Sequence, residues 1–278
     1  MPELPEIQAH AERLDQDFAG AELERFRAIS FTALKTAVPP PEAAVGQSLV
    51  YVGHRGKHLL LDFGTVTFVV HLMQGGRLKP DEKQAAKPRG GVARWVFTDG
   101  RALLLTEAGT ERKAGVWVVA DDPEDQPPLA GLGPEADAIT PDLLVELFAA
   151  HPMRLHGFLR DQHMVAGLGR RLANEICHRA RLSPFASTAK LDRGAAEAVV
   201  EAIGACLNQS LAEERDRSDM SSSAQRTSQV HHRDGEPCPV CGDVVRAVEY
   251  RSHTVDYCAT CQTGGKVLAD NTTSKFLK

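Results

Sequence analysis

Four cysteines in the last fifth of the sequence constrain its fold more than any other feature. They form two C-x2-C pairs with sixteen residues between them: Cys238, Cys241, Cys258 and Cys261. Each pair can present two thiolates to one ion, and four thiolates favour a tetrahedral zinc site with no open position. We therefore predict one structural Zn2+ per chain, on a β-hairpin too small to build its own core. The alternatives are a pair of disulfides or free thiols.

Upstream of the cysteines, the sequence changes from strand-like to helical. After an N-terminal helix at 3–19, the sequence has short β-branched or aromatic runs punctuated by glycine, which are typical of the strands of a β-sandwich. They lie at 23–29, 48–54, 58–63, 66–72, 92–98, 101–106 and 115–120. An acidic, proline-rich stretch at 121–137 is predicted to be a linker. Helices are then predicted at 141–150, 153–161, 171–181 and 191–214.

These patterns predict an α+β multidomain protein. We expect an N-terminal helix with a β-sandwich at 1–130, a helical domain at 138–228 and a zinc finger β-hairpin at 231–278.

The charge of the chain is unevenly distributed. The formal net charge is −5, so a nucleic-acid partner is not evident from the total. The stretch 121–142 is acidic and contains no Lys or Arg, whereas 151–181 contains six Arg against one Asp and one Glu. Positive charge is therefore concentrated in the helical part. No apolar run approaches the roughly 20 residues of a membrane-spanning helix, and no signal peptide is visible, so we expect a cytoplasmic protein with no membrane partner.

The N-terminus contains a potential nucleophile. Removal of Met1 would leave Pro2 with a secondary amine, and an α-amino group has a pKa of about 8, so part of it is unprotonated at neutral pH. Such an amine can attack an electrophilic carbon such as a sugar C1′, and the adjacent Glu3 can transfer protons. Pro and acidic residues are also ordinary in the first turn of a helix, so residue types alone leave both interpretations open.

Motifs along the whole chain resemble the Fpg/Nei family of bifunctional DNA glycosylases. They are MPELPEI at 1–7, GKHLLL at 56–61, HLMQG at 71–75, the segment 161–175 with its G-L-G turn, and the C-x2-C-x16-C-x2-C-Q pattern. Each motif alone is weak, but their order and spacing together are specific. MPELPE is more similar to the formamidopyrimidine branch than to the endonuclease VIII branch.

The resemblance implies a fold, an activity and a catalytic set. The family has an N-terminal β-sandwich, a helical domain with a helix-two-turn-helix hairpin, and a zinc finger hairpin, with DNA between the lobes. It implies removal of oxidised bases from a flipped nucleotide, followed by strand cleavage at the abasic site. At matching positions Pro2 is the Schiff-base nucleophile, Glu3 is the general acid, and Lys57 holds phosphate and assists proton transfer. The partner is damaged double-stranded DNA, bound by a nucleoid-associated monomer.

Further residues stand at the family's DNA-contacting positions. In the void-filling loops these are Met73 or Gln74, and Arg112; in the hairpin Arg170 and Arg171; in the finger Arg251 and His253. Two of these positions, and two others, depart from the family pattern. Arg170 replaces an asparagine and His253 an arginine. His156 stands where a lysine is usual, and Ala114 where an aromatic wedge is usual. The lesion preference is therefore open.

Three alternatives remain beside a formamidopyrimidine-type glycosylase. One is an endonuclease VIII-like enzyme for oxidised pyrimidines or other lesions. The second is a catalytically weak damaged-DNA-binding protein, and the third is a zinc-ribbon regulator, for which the sequence shows no second reading module. Trapping of a covalent adduct on abasic DNA distinguishes an enzyme from a binding protein.

Overall fold

The structure, a computed structural model, describes residues 1–109, 113–251 and 253–268. These residues form two compact units. Unit 1 comprises Met1–Gly131 and Arg217–Ser223; unit 2 comprises Leu132–Asp216 and the described residues from Ala224 onwards. The helical segment and the cysteine hairpin thus belong to one unit. None of the helices in the described ranges is long and apolar enough to cross a membrane.

Unit 1 begins with helix α1, Leu4–Phe18, whose buried face carries Ile7, Leu14 and Phe18 into the core. Eight strands follow in the part of unit 1 that the structure describes. They are β1 Leu23–Ala28, β2 Tyr51–Arg55, β3 His58–Asp62, β4 Thr67–His71, β5 Gly76–Pro80, β6 Gly91–Phe97, β7 Ala102–Glu107 and β8 Gly115–Val119.

The strands form two antiparallel sheets, with orders β1-β6-β7-β5 and β2-β3-β4-β8. The sheets pack face to face through aromatic side chains. The ring of Phe68 on β4 lies 5.3 Å from Phe26 on β1 and 5.7 Å from Trp95 on β6. This confirms the predicted sandwich, whose inner faces alternate with outer polar positions.

Strand β5 is the element of unit 1 that the sequence analysis missed. Its residues, GRLKP, bury Leu78 fully but leave Lys79 and Pro80 exposed. It lies at the edge of its sheet, where proline is tolerated because no ladder hydrogen bond is needed on the outer side. An edge strand with so few buried side chains leaves little hydrophobic pattern to detect.

Unit 2 contains the predicted helices and the cysteine hairpin. The elements are α2 Pro141–Ala150, α3 Leu155–Arg160, α4 Arg170–Arg179, α5 Arg193–Arg215, β9 Val245–Glu249, β10 Thr254–Cys258 and α6 Ala259–Thr263. Helix α2 starts as its sequence indicates, since the Thr140 hydroxyl accepts the Leu143 N–H and Pro141 occupies the first turn. Strands β9 and β10 pair as the antiparallel hairpin predicted between the two C-x2-C pairs.

Candidate functional site

The N-terminal residues are held by the start of α1. Pro2 is buried, and Glu3 is the N-cap residue of the helix. The Glu3 N–H donates to Glu6 Oε2 at 2.6 Å, and the Glu3 carboxylate accepts the Glu6 backbone N–H, which completes a capping box. The capping box therefore fixes the Glu3 carboxylate at the start of the helix, and Glu3 directly follows Pro2 in the chain. This is a suitable placement for proton transfer next to an N-terminal amine.

Lys57 lies in the tight turn between β2 and β3. The turn depends on Gly56, whose φ is +55°, and the Lys57 side chain is buried, with 8 % of its surface exposed. Helix α1 packs against both strands, and the Asp15 carboxylate accepts the Val52 N–H at 2.7 Å. The catalytic lysine of the sequence analysis and the N-terminal helix thus belong to the same packed unit.

Two histidines that the sequence analysis did not assign lie near Lys57. The rings of His58 and His71, paired across β3 and β4, are 4.6 Å apart. Burial, and then the other ring, lowers the pKa of His58 to about 3. Burial, and then the charge of Lys57, lowers the pKa of His71 to about 4. Both rings are therefore neutral at pH 7, and the side chains whose positive charge acts on His58 include Lys57 and Arg55.

The loop predicted to fill the void joins β4 and β5. Met73 has a left-handed φ of 53°, is half-buried against the core and contacts the His71 ring through its sulfur. Gln74 is exposed at the turn. Of the two alternatives, Gln74 is thus the side chain that projects, while Met73 points toward His71. Gly76 is required here, because a Cβ would lie 2.1 Å from the Leu72 carbonyl oxygen.

The second void-filling loop is described in part. Arg112 lies outside the described residues. Ala114 is buried in the sandwich core, and its N–H donates to the Glu107 carboxylate at 2.8 Å. The position at which the family resemblance implies a wedge therefore belongs to the interior in this chain.

In unit 2, the turn before α4 is organised by Gln162. Its side-chain amide donates to the Leu168 carbonyl at 2.8 Å and accepts the Gly167 N–H at 3.1 Å. Gly167 has a φ of +94°, which favours glycine, and Gly169 caps the helix. Arg170, the first residue of α4, is exposed. A helix N-terminus with an exposed arginine is a suitable anion contact.

Arg171 is placed differently from its neighbour. Its side chain is buried, and its guanidinium donates to the Ser210 hydroxyl at 3.2 and 3.3 Å and to the Thr227 carbonyl at 3.4 Å. Adjacent residues on a helix face in different directions, so one arginine of the pair is exposed and the other is inside. Arg171 thus connects α4 to α5 and to the segment that precedes the finger.

The finger tip brings two predicted residues to the same region. Arg251 is exposed in the β9–β10 turn. His253 stacks on Tyr250 at 4.8 Å and faces the buried ring of His156 at 5.9 Å. Burial, then Arg160 and Arg170, lowers the pKa of His253 below its usual value. The positive charges of Arg170 and of Arg160, which the sequence analysis did not name, therefore both act on His253.

The four cysteines form one cluster. Their sulfur atoms all lie within 4.8 Å of one another, with 3.9 Å between Cys238 and Cys261 and 3.4 Å between Cys241 and Cys258. Tetrahedral zinc–thiolate bonds of about 2.3 Å place sulfurs about 3.8 Å apart, so the cluster fits one zinc ion and leaves no open position. A structural role is the one such a ligand set supports.

Comparisons with known proteins extend these observations. Residues 1–116 match the family model of the formamidopyrimidine-DNA glycosylase N-terminal domain, and residues 130–222 match that of the formamidopyrimidine-DNA glycosylase H2TH domain. The formamidopyrimidine-DNA glycosylase of Methylococcus capsulatus is 31 % identical over 273 residues, covering 94 % of this chain and 100 % of that protein. An uncharacterized formamidopyrimidine-DNA glycosylase-like protein of Mycobacterium tuberculosis is 38 % identical over 149 residues, covering 53 % of this chain and 94 % of that protein.

Solved structures show the same fold. The Lactococcus lactis enzyme in complex with DNA containing N7-benzyl-Fapy-dG has a TM-score of 0.84 at 20 % identity, covering 94 % of this chain and 100 % of that chain. The same enzyme with DNA containing an oxidized pyrimidine has a TM-score of 0.84 with the same coverage.

Proposed function

Because the chain belongs to the formamidopyrimidine-DNA glycosylase family, whose members act on damaged DNA, we propose that it is a bifunctional base-excision-repair enzyme. It removes oxidised bases from duplex DNA and then cleaves the strand at the abasic site through a Schiff base on Pro2. The observation that carries this proposal is that Pro2 is buried directly before Glu3, whose carboxylate caps the start of α1.

The proposed chemistry begins after removal of Met1. The Pro2 amine attacks C1′ of the flipped nucleotide, the C1′–N bond breaks, and the base leaves with a proton relayed from Glu3. The C1′–O4′ bond of the sugar then opens, O4′ takes the proton that the Pro2 nitrogen gives up, and the resulting iminium acidifies C2′–H. Loss of that proton breaks the C3′–O bond, and a second elimination breaks the C5′–O bond, so that two phosphate ends are released. Lys57, a cation beside the neutral His58–His71 pair, holds a phosphate near C1′.

The DNA backbone is proposed to lie against the turn before α4 and the finger tip. Arg170, Arg160, Arg251 and His253 supply the phosphate contacts there, whereas Arg171 maintains the packing of α4. Zinc, when bound by the four cysteines, holds the finger hairpin in shape. The enzyme works as a cytoplasmic, nucleoid-associated monomer.

The preferred lesions are those that already stack poorly. Flipping a base costs a few kcal/mol of stacking, and an inserted aromatic side chain offsets part of it. In this chain Ala114 is buried and the exposed side chain of the β4–β5 loop is the polar Gln74. The protein should therefore process formamidopyrimidines, ring-saturated pyrimidines and abasic sites faster than 8-oxoguanine paired with cytosine. Excision of oxidised pyrimidines alone would favour the endonuclease VIII-like alternative.

Borohydride trapping tests the chemistry. Incubation with an abasic-site duplex and borohydride should give a covalent adduct on the N-terminal peptide. Glu3→Gln should lose base excision more than abasic-site cleavage, because the proposed role of Glu3 includes base departure, whereas Glu12→Gln on the exposed side of α1 should behave as wild type. An adduct on Lys57 would refute the assignment of Pro2. DNA binding with no adduct would make the protein a lesion binder.

A further inference from the structure

A histidine outside the proposed DNA contacts touches the cysteine cluster. His178 lies in the last turn of α4, with 4 % of its surface exposed, and its Nε2 is 3.3 Å from the Sγ of Cys238. This distance suits an N–H···S hydrogen bond. The four cysteines already provide a complete tetrahedral ligand set, so His178 is placed as a neighbour of the ligands.

His178 belongs to a buried polar row on α4. Arg171, Asn174, Glu175 and His178 follow the spacing that places residues on one helix face, and all four are buried. Glu175 accepts the N–H groups of three consecutive residues, 229–231. Asn174 donates to Asp256 on β10 at 3.1 Å. The finger hairpin is therefore attached to α4 by hydrogen bonds, and His178 is the member of the row that reaches a metal ligand.

We propose that His178 is a positioning residue of the metal site, which donates its Nε2–H to the Cys238 thiolate and so couples α4 to the bound zinc. The inference rests on the proposed zinc site and extends it to a residue outside the C-x2-C pairs. Zinc with four thiolates carries net negative charge, and an N–H donor aimed at one sulfur withdraws part of it and fixes the direction of the sulfur lone pair.

Through His178, helix α4 connects the metal site with the turn that is proposed to contact phosphate. Helix α4 starts at Arg170 in the turn proposed to contact phosphate and ends beside Cys238. At 1.5 Å per residue these ends are about 12 Å apart along one rigid helix. Loss of metal from the finger therefore removes a constraint from the same helix whose first residue is exposed for the DNA.

The test uses the full chain with His178→Phe, which keeps a ring but removes the donor, and His178→Gln, which restores an N–H. Arg179→Gln, an exposed change in the same helical turn, is the control. Partners outside the ligand shell are typically worth about 10- to 100-fold in metal affinity. In a chelator competition, we expect His178→Phe to bind zinc more weakly by that factor. His178→Gln should recover part of the lost affinity, and Arg179→Gln should bind zinc as tightly as wild type.

A spectroscopic signature separates the hydrogen bond from simple packing. In the cobalt-substituted protein, loss of the N–H···S bond raises the energy of the sulfur lone pair, so the thiolate-to-cobalt charge-transfer band should move to lower energy in His178→Phe and return in His178→Gln. An unchanged band and affinity in His178→Phe would overturn the inference while leaving the zinc site intact. Failure of the wild-type chain to bind zinc or cobalt would instead refute the zinc site. A Cys238→Ser variant whose cobalt spectrum shows a new nitrogen ligand would identify His178 as a metal ligand.

Discussion

Glu175→Gln is the substitution whose effect the structure determines most directly. The Glu175 carboxylate is 7 % exposed and accepts three backbone N–H groups, from Gln229 at 2.7 Å on Oε2, and from Val230 at 3.1 Å and His231 at 2.9 Å on Oε1. A glutamine of the same shape retains one oxygen. Its side-chain NH2 would face the Gln229 N–H, which places two donors against each other. The N–H groups of Val230 and His231 would then bond to a neutral oxygen in place of a charged one.

The size of the loss follows from these bonds. A hydrogen bond to a charged group is worth about 1.5–3 kcal/mol and a neutral one about 1 kcal/mol, so losing one charged bond and weakening two destabilises unit 2 by about 3–5 kcal/mol. With a urea dependence of about 2 kcal/mol per molar, the unfolding midpoint should fall by about 2 M.

Two optical signals separate the units. Both tryptophans, Trp95 and Trp117, lie in unit 1, whereas five of the six α-helices among the described residues lie in unit 2. Urea unfolding followed by far-ultraviolet circular dichroism should therefore shift in Glu175→Gln, while the tryptophan fluorescence transition stays near that of wild type. Glu197→Gln on the exposed face of α5 makes the same charge change and is the control. If Glu175→Gln has the same circular dichroism midpoint in urea as the Glu197→Gln control, the assigned role of Glu175 is refuted.

Three further predictions concern DNA and metal. Arg170→Ala should weaken binding to all duplexes similarly and reduce the salt slope by about 0.9, the value for one lost phosphate contact; an unchanged slope would return Arg170 to an ordinary surface charge. Burial and the nearby arginines lower the pKa of His253, so this ring is neutral at pH 7, and phosphate contact favours its charged form. Affinity of wild type should thus rise as pH falls from 8 to 6, measured by fluorescence anisotropy at constant salt, while His253→Arg should be nearly flat; equal profiles would contradict the contact. Cys258→Ser should lose zinc, by metal analysis, and DNA affinity together, and full DNA binding in the zinc-free protein would remove the finger from the interface.

Most of the fold could be predicted because its signals are local. The strands of the sandwich are runs of β-branched and aromatic residues, and the two C-x2-C pairs define the hairpin by spacing alone. Strand β5 was missed because an edge strand buries little. The N-terminal site could be named from the first residues, yet its geometry depends on the capping box between Glu3 and Glu6, which is a local pattern, and on the packing of α1 against the Lys57 turn, which is not.

The residues proposed to contact DNA were harder to predict because exposure is a tertiary property. Arg170 and Arg171 are adjacent and chemically identical in the sequence, but one is exposed at the start of α4 and the other bonds to Ser210 inside unit 2. Arg160 carried no motif of its own, and its proximity to His253 exists only after the finger has folded onto α3 and α4. A basic run in a sequence thus indicates a charged region, not which of its side chains is exposed.

Helix α4 shows why the connection between this helix and the β9–β10 finger hairpin could not be predicted from the sequence. A surface helix usually buries its apolar stripe and exposes its polar one, so a row of Arg171, Asn174, Glu175 and His178 would be predicted to face water. Here that row is buried, because each of its members has a partner on α5, on the segment before the finger or on the hairpin itself. Buried polar groups are costly unless paired, so the row specifies one docking arrangement for the finger and tolerates few others. The hairpin that carries the cysteine cluster is oriented in this way, by hydrogen bonds to a helix whose first residue, Arg170, is exposed.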